Sequence, residues 1–308
     1  MTMILCLDIG GTAVKMGLCD RQGVIHARKE ASVCFDQYRT PILETVLREA
    51  ELFLAEQQCD VEGAGISATG QIDDKRGIVI GTNGRIPHWE GSHLAEEVSA
   101  RFHVPAFALN DANAAALGES FAGRAKGLEN VIMLTLGTGV GGGIILGGKL
   151  YSGSLGIAGE LGHFTLYADG ITCTCGKKGC FECYASTTAL IARAKEKAGS
   201  EDLNGKEIFR RAQAGDRAML SVLDAWIDDI VHGITGLVHI FNPDMVLIGG
   251  GVSVQEQLLM QPLRERVKAG VMPRFAEHLS IERATLGNDA GMIGAARWYM
   301  ERSAQLDY

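Results

Sequence analysis

The chain has no cluster of lysines and arginines. Its 29 basic side chains are outnumbered by 37 acidic ones, for a net charge of −8 over 308 residues. Binding a phosphate backbone needs a basic face, so nucleic acid is not an expected partner. Nor is there an uninterrupted apolar run of the ~18 residues that a membrane span needs. The start, Met1 to Asp8, lacks the basic lead and long apolar stretch of a secretion signal. These absences predict a cytoplasmic protein with no membrane partner. No G-x-x-x-x-G-K-[ST] motif occurs, which excludes a P-loop as far as a motif can. No low-complexity linker divides the chain, so its length predicts two lobes sharing a close interface.

A disulfide framework is also missing. Of the eight cysteines, Cys6, Cys19, Cys34 and Cys59 are scattered, mostly among apolar neighbours, while Cys173, Cys175, Cys180 and Cys183 crowd together. In a cytosolic chain such a crowd points to metal rather than cross-links.

What is present reads as alternating strands and helices, hence an α/β architecture with mixed sheets. Ile4 to Leu7 is an apolar strand, broken by Gly10-Gly11 and followed by the alternation Val14, Met16, Leu18. Thr40-Pro41 predicts a helix start with Pro at the first helical position, carrying Ile42, Val46, Ala50 and Phe53 at helical spacing. Ser92 predicts a cap for a helix through Arg101. A strand from Pro105 to Leu109 runs into a small-residue helix from Asp111 to Ala122. Val131 to Leu136 then meets Gly137-Thr138-Gly139-Val140-Gly141-Gly142-Gly143 and the apolar run Ile144-Ile145-Leu146. Helices are predicted over roughly 187–198, 205–213, 216–240 and 255–269. Strands are predicted at Met245 to Ile248 and near Leu279 to Ala284, with a closing helix from Asp289. The order of strand, glycine turn with threonine, strand occurs twice, which predicts a diverged duplication.

The glycine turns carry the first chemical signal. Asp8-Ile9-Gly10-Gly11-Thr12 places a carboxylate at a strand end, then glycines whose N–H groups can approach a phosphate, then a hydroxyl. A carboxylate beside polyphosphate requires an intervening cation, which implies Mg²⁺. A tight polar hairpin would look the same. Gly137 to Gly142 matches G-x-G-x-x-G, but a strand follows where a dinucleotide fold needs a helix. A second phosphate-cradling hairpin fits better. Ile248-Gly249-Gly250-Gly251 is a third strand-to-glycine transition, against which a flat adenosine could lie. A plain strand-to-helix turn explains it equally well.

Asn110-Asp111-Ala112-Asn113 puts an Asp where a strand becomes a helix. Helix capping would account for it. A kinase acting on a sugar hydroxyl would also need a carboxylate there to take the proton, with Asn110 holding a neighbouring hydroxyl. His163, Cys173, Cys175 and Cys180 make a Cys₃His set, the composition of a closed structural zinc site, with Gly176 and Gly179 letting the loop fold around the ion. Glu160 and Glu182 flank the set. They are either solvated surface residues or a rigid clamp for a neutral sugar.

With these residues in view, the chain resembles the ROK family of sugar kinases and related repressors over essentially its whole length. The resemblance rests on Asp8 to Thr12, Asn110 to Asn113, Leu136 to Gly143, Ile248 to Gly251, and Gly159-Glu160-Leu161-Gly162-His163 continuing to Cys173-x-Cys175-Gly176-x-x-Gly179-Cys180-x-Glu182. It implies an actin-like ATPase (ribonuclease H-like) α/β fold of two lobes, with ATP and sugar in the cleft, and a homodimer. Residues 1–115, completed by a helix over 289–303, would form the smaller lobe. Residues 116–288, with the zinc loop 159–183, would form the larger. The implied roles are Asp111 as catalytic base, and Asn83, Asn110, Asp111, Glu160, His163 and Glu182 as sugar contacts. ATP would be held by Asp8, Gly10, Gly11, Thr12, Gly137, Thr138, Gly139, Gly249, Gly250 and Gly251. The chain reaches its Asp8 motif without the DNA-binding module of family repressors, which favours the kinase branch, with glucose expected and N-acetylmannosamine the rival. One stretch departs from the pattern. Where many family glucokinases read Asn-Leu-Pro-Gly-Trp, this chain has Asn83-Gly84-Arg85-Ile86-Pro87-His88-Trp89.

Overall fold

The computed structural model describes residues 2–82, 86–199 and 201–305. It contains two five-stranded sheets built to one plan. In the first, β1 (Met3–Ile9) and β2 (Ala13–Cys19) form a hairpin that β3 (Ile25–Ser32) extends, all antiparallel. Helix α1 (Ile42–Gln57) returns the chain to β4 (Val61–Ala68), parallel to β1 on its other side. A small hairpin, β5 (Gln71–Asp73) with β6 (Ile78–Gly81), and helix α2 (Leu94–Phe102) lead to β7 (Ala106–Asn110), parallel to β4. Helix α3 (Asp111–Ala122) follows without a loop.

The second sheet repeats the plan. Strands β8 (Val131–Leu136), β9 (Val140–Leu146) and β10 (Lys149–Leu150) are antiparallel neighbours. The chain then runs through α4 (Glu182–Ala185), α5 (Thr187–Ala198), α6 (Gly205–Gln213) and α7 (Arg217–Phe241) to β11 (Met245–Gly249), parallel to β8. Helices α8 (Gln261–Gly270) and α9 (Pro273–His278) connect it to β12 (Ser280–Arg283), parallel to β11, and α10 (Ala290–Ser303) follows. A hairpin, a third antiparallel strand and two parallel crossovers occur in both halves, so the duplication expected from the two glycine turns is present as topology.

Alternation along the strands sorts side chains between two layers. On β2, Val14, Met16 and Leu18 are buried in an outer core with Val46 and Phe53 of α1 and Val98 of α2. The outer core of the second sheet joins Ile132 and Leu134 to Trp226 and Ile230 of α7 and Leu263 of α8. Between the sheets, α10 lies on the first and α3 on the second, and these two helices make the most extensive helix–helix contact in the fold. Their backbones nearly touch. A β-carbon on Gly294 would sit 1.8 Å from the Ala114 carbonyl oxygen, and one on Gly118 would sit 2.4 Å from that of Ala290. Only glycine allows this approach. The fully buried Glu119 of α3 accepts bonds from the backbone N–H groups of Thr285 and Leu286, at 2.6 and 2.7 Å, just ahead of α10.

Several local expectations are corrected. Ser92 is not a cap, because α2 begins at Leu94 with His93 before it, and the Ser92 hydroxyl bonds the His88 carbonyl at 3.5 Å. Pro41 precedes the first helical residue rather than occupying it. The helix expected over 255–269 opens as one π-turn, Glu256–Met260, before becoming α8. The β5–β6 hairpin and α9 had no reading in the sequence.

Candidate active site and metal centre

A cavity of about 740 Å³ lies between the two sheets. Loops at equivalent places in the two halves line it: the β1–β2 and β8–β9 turns, and the residues just past the ends of β4, β7 and β11.

Asp111 is at its centre. The helix it opens is capped by the preceding residue: Asn110 Oδ1 accepts the N–H groups of Ala112 and Asn113 at 2.9 and 3.1 Å. The Asn110 amide donates to the Gly70 carbonyl at 2.9 Å and to Asp111 Oδ1 at 3.0 Å. Asp111 Oδ1 also accepts the Ala112 N–H at 2.8 Å. Capping therefore falls to Asn110, and Oδ2 of Asp111 takes part in neither bond. Burial pushes the Asp111 carboxyl up to about 6, with the Asp8 charge adding to the effect, the Ala112 N–H opposing it and Glu160 adding a smaller push. That value suits a base working near neutral pH. If Asp111 is that base, kcat/KM should be flat above pH 7 and fall about tenfold per unit below pH 6, because protonation removes the acceptor. A profile flat down to pH 5 would contradict the assignment. Asn110 has both amide hydrogens and both oxygen lone pairs engaged, so a sugar hydroxyl would reach it only by replacing one of these bonds.

On the first sheet, Asp8 accepts the Ser67 hydroxyl at 2.6 Å through Oδ1, and Lys15 Nζ lies 3.4 Å from Oδ2. Gly10 and Thr12 line the cavity beside it, whereas Gly11 does not. A β-carbon on Gly11 would meet Ile86 at 3.2 Å, and its carbonyl accepts the Tyr38 hydroxyl at 2.8 Å. On the second sheet Gly137, Thr138 and Gly139 form the β8–β9 turn and line the cavity. Of the third glycine set only Gly250 does so, and its left-handed φ of 88° sets it against the Leu136 backbone. Gly249 and Gly251 are not lining residues.

Glu160, His163 and Glu182 also line the cavity. Burial raises the Glu160 carboxyl above its usual range, with His163 and a bond from Gln71 opposing and Glu182 adding to the rise. Glu182 Oε2 accepts the Val140 N–H at 3.0 Å, which ties it to the β8–β9 turn. A β-carbon on Gly139 would lie 2.3 Å from that same oxygen, so any larger residue there would push the Glu182 carboxylate aside. Asn83, expected as a sugar contact, lies outside the described residues. Trp89 of the same stretch is buried and donates to the Thr69 carbonyl at 2.8 Å.

The ligand atoms of His163, Cys173, Cys175 and Cys180 all lie within 4.8 Å of one another. Bonds of ~2.0 Å to nitrogen and ~2.3 Å to sulfur around a tetrahedral ion require such spacing. Burial and the adjacent Cys175 and Cys173 sulfurs push the Cys180 thiol up to about 12, and three thiolates this close need a cation among them. The donor set therefore fits a metal. His163 Nδ1 faces the cluster, 3.6 Å from Cys173 Sγ, while Nε2 is 4.0 Å from Glu160 Oε2. One ring thus joins the cluster to the cavity wall. Gly176 and Gly179 take left-handed φ values of 85° and 74°, as the loop's tight path requires. Cys183 stands outside the set, on α4. The loop is held to α7 by the Tyr167 hydroxyl, which donates to Asp229 at 2.6 Å, and by Phe181 packed on Gly233.

Sequence reasoning missed Lys15, Glu30, Thr69, Gly287, Asn288 and Gly291, all of which line the cavity. Lys15 and Glu30 could have been found by pairing, since Asp8, Lys15 and Glu30 stand opposite one another across β1, β2 and β3. Nothing local marks the turn before α10.

The chain matches the model of the ROK family over residues 4–302. A glucokinase from Thermotoga maritima is 35% identical over 315 residues, covering 97% of this chain and 98% of the relative. A ROK family glucokinase from Streptomyces griseus, solved in complex with glucose and AMPPNP, superposes with a TM-score of 0.80 at 33% identity, covering 96% of this chain and 98% of that one. A ROK hexokinase from Thermus thermophilus gives a TM-score of 0.84 at 31% identity, covering 98% and 100% of the two chains. The doubled sheets, with a cavity between them, are the two-lobed actin-like ATPase architecture of those kinases, and the chain belongs to the ROK family.

Proposed function

We propose that this chain transfers the terminal phosphoryl group of ATP to a hexose hydroxyl, with glucose as the acceptor and glucose 6-phosphate as the product. The observation that carries the reading is one cavity lined together by a raised carboxyl, Asp111, by two glycine hairpins and by Glu160, His163 and Glu182. Asp111 Oδ2 would accept the hydroxyl proton as the sugar oxygen attacks phosphorus, and Asn110 holds the carboxylate for that attack. Glu160, His163 Nε2 and Glu182 offer acceptors and a ring nitrogen to the other hydroxyls. The two hairpin turns, Gly10 to Thr12 and Gly137 to Gly139, would hold the phosphates, with the N–H groups of Thr12, Thr138 and Gly139 as donors, since Gly10 and Gly137 already donate to the Ala13 and Gly139 carbonyls and Gly11 is not a lining residue. Magnesium, when bound with ATP, neutralises phosphate charge, and Asp8 is the carboxylate that would hold it. Zinc, when bound, closes the loop, and His163, Cys173, Cys175 and Cys180 would be its ligands. The relatives described as glucokinases support glucose in particular. A dimer, a cytoplasmic location and lobes formed by 1–115 with α10 and by 116–288 complete the proposal. Among the described residues no helix is long and apolar enough to cross a membrane.

The test is an ADP-release assay with Mg-ATP across glucose, mannose, fructose, allose, glucosamine, N-acetylglucosamine and N-acetylmannosamine. Glucose should give the highest kcat/KM. A pocket of this polarity rejects sugars that leave its groups unpaired more strongly than those with small additions, so side activity on mannose or glucosamine is expected. A higher value for N-acetylmannosamine would overturn glucose but not the kinase. No turnover with any sugar would overturn the kinase.

A further inference from the structure

Asn113 lies two residues past Asp111 on α3, is 2% exposed, and is not among the residues that line the cavity. Its neighbours on the helix are Ala112, Ala114, Ala115 and Ala116. Asparagine is a weaker helix former than alanine, so the helix gains nothing from an amide there. Nδ2 donates to the Ala158 carbonyl at 3.2 Å, while Oδ1, equally buried, has no hydrogen-bond partner among the described residues. A half-paired buried amide adds little to stability. What remains to account for Asn113 is the one bond it makes.

That bond fixes the segment that carries Glu160. Ala158 is followed directly by Gly159 and Glu160. Gly159 takes a left-handed φ of 96°, and a β-carbon on it would lie 2.8 Å from Asn113 Oδ1 and 2.9 Å from the Gly142 carbonyl oxygen of β9. A β-carbon on Gly142 would in turn lie 2.6 Å from the Gly159 carbonyl oxygen and 2.5 Å from the Leu161 side chain. The chain on either side of Glu160 is thus seated against α3 and β9. Before this segment, the Ala158 N–H donates to the Ser152 carbonyl at 3.0 Å and closes the loop 152–158. After it comes His163, the first of the clustered metal ligands. Glu160 therefore reaches the cavity between two anchors, the metal cluster on one side and Asn113 on the other. Only the second shares a helix turn with Asp111, so it registers Glu160 directly against the carboxylate that faces the sugar hydroxyl.

We propose that Asn113 is a positioning residue of the sugar site, which by holding Ala158 sets the Glu160 carboxylate relative to Asp111 and so the fit of a hexose between them. This rests on the kinase reading above and deepens it. Asn113 itself touches no substrate. Its effect passes through the Ala158 carbonyl and two residues of backbone to Glu160, and small misplacements of a binding group are costly when several hydroxyls must be met at once.

The experiment is a double-mutant cycle between Asn113→Ala and Glu160→Gln. Asn113→Ser, whose hydroxyl is too short to reach Ala158, takes the place of Asn113→Ala if that variant does not fold. Calorimetry gives the glucose and ADP affinities, the ADP-release assay gives kcat and KM, and elemental analysis gives zinc. Alone, Asn113→Ala should weaken glucose binding and raise the glucose KM about 10–100-fold, the usual cost of removing a support behind a binding group. The fall in kcat should be smaller, ADP affinity should stay within about threefold, and zinc should remain at about one per chain. In the Glu160→Gln background the same substitution should cost less than about threefold more, because groups that act through one another are not additive. An equal cost in both backgrounds would overturn the proposal, since Asn113 would then act on the fold at large. So would a glucose affinity within threefold of wild type, a matching loss of ADP affinity, or loss of zinc. A wild type that binds glucose without phosphoryl transfer would instead strike the kinase reading, and the cycle would still be read from the glucose affinities.

Discussion

Replacing Asp111 with Asn should lower kcat by ~10²–10⁴, the usual range for removing a general base, while ADP still binds. The substitution is nearly isosteric, and the Asn oxygen can keep the bonds from Ala112 N–H and the Asn110 amide. A loss of rate would therefore report the missing proton acceptor rather than a disturbed helix start. A second readout separates the two further. The folded Asp111 carboxyl is raised to about 6, above its ordinary value of 3.8. A raised acid binds its proton more tightly in the folded state, so its ionised form costs stability above pH 6, and the cost vanishes below about pH 4. Asp111→Asn should raise Tm by ~2 °C or more at pH 8 and leave it unchanged at pH 4. A variant with near-normal turnover would reduce Asp111 to a structural residue. One equally destabilised at both pH values would show that the helix start had been damaged.

Removing the metal ligand Cys175 should lower activity and stability together. Cys175 is exposed, so Cys175→Ser leaves no hole in the core. Purified wild type should carry about one zinc per chain by elemental analysis, and the variant much less than one. Activity should fall at least ~10-fold, with the loss appearing mainly in the sugar KM, because the same loop sets Glu160, His163 and Glu182. Tm should fall too, since metal binding energy is also folding energy. ADP affinity should fall less than sugar affinity, because the loop reaches the β8–β9 turn only through the bond from Val140 N–H to Glu182 and does not touch the β1–β2 turn. Fresh, fully active enzyme without zinc would refute the site.

The legible parts of this protein were those where a local pattern has one structural solution. Helices α5 and α6 and strand β8 begin and end where periodicity and glycine breaks placed them. The Cys₃His set was readable because ligand spacing within one loop constrains geometry directly. The Asn110–Asp111 pair was harder. Sequence offered one position for two jobs, and the structure gives capping to Asn110 and the cavity to Asp111. Not every glycine of the Gly137 to Gly143 run needs a ligand to explain it. Gly141 and Gly143 are glycine because Ala112 and Ala116 of α3 press on β9, where β-carbons would come within 2.9 and 2.4 Å of those methyls. The cavity wall at Gly287 to Gly291 was illegible for the opposite reason. It is brought to Asp8 by α10, across more than 270 residues of chain, and no window carries that information.

That same long return sets a timetable for synthesis. The strands of the first sheet are complete at Asn110, yet the helix that covers their inner face starts at Ala290, 180 residues later (290 − 110). At roughly 5–20 residues per second, the interval is on the order of 10–40 s on a ribosome. Throughout it, Ile4, Cys6 and Cys19 have none of the α10 partners, Met292, Ala296 and Tyr299, that bury them in the finished protein. The first half to be translated is thus among the last to be sealed, and a nascent chain stalled anywhere between the two sheets presents one bare apolar face to whatever holds unfinished proteins.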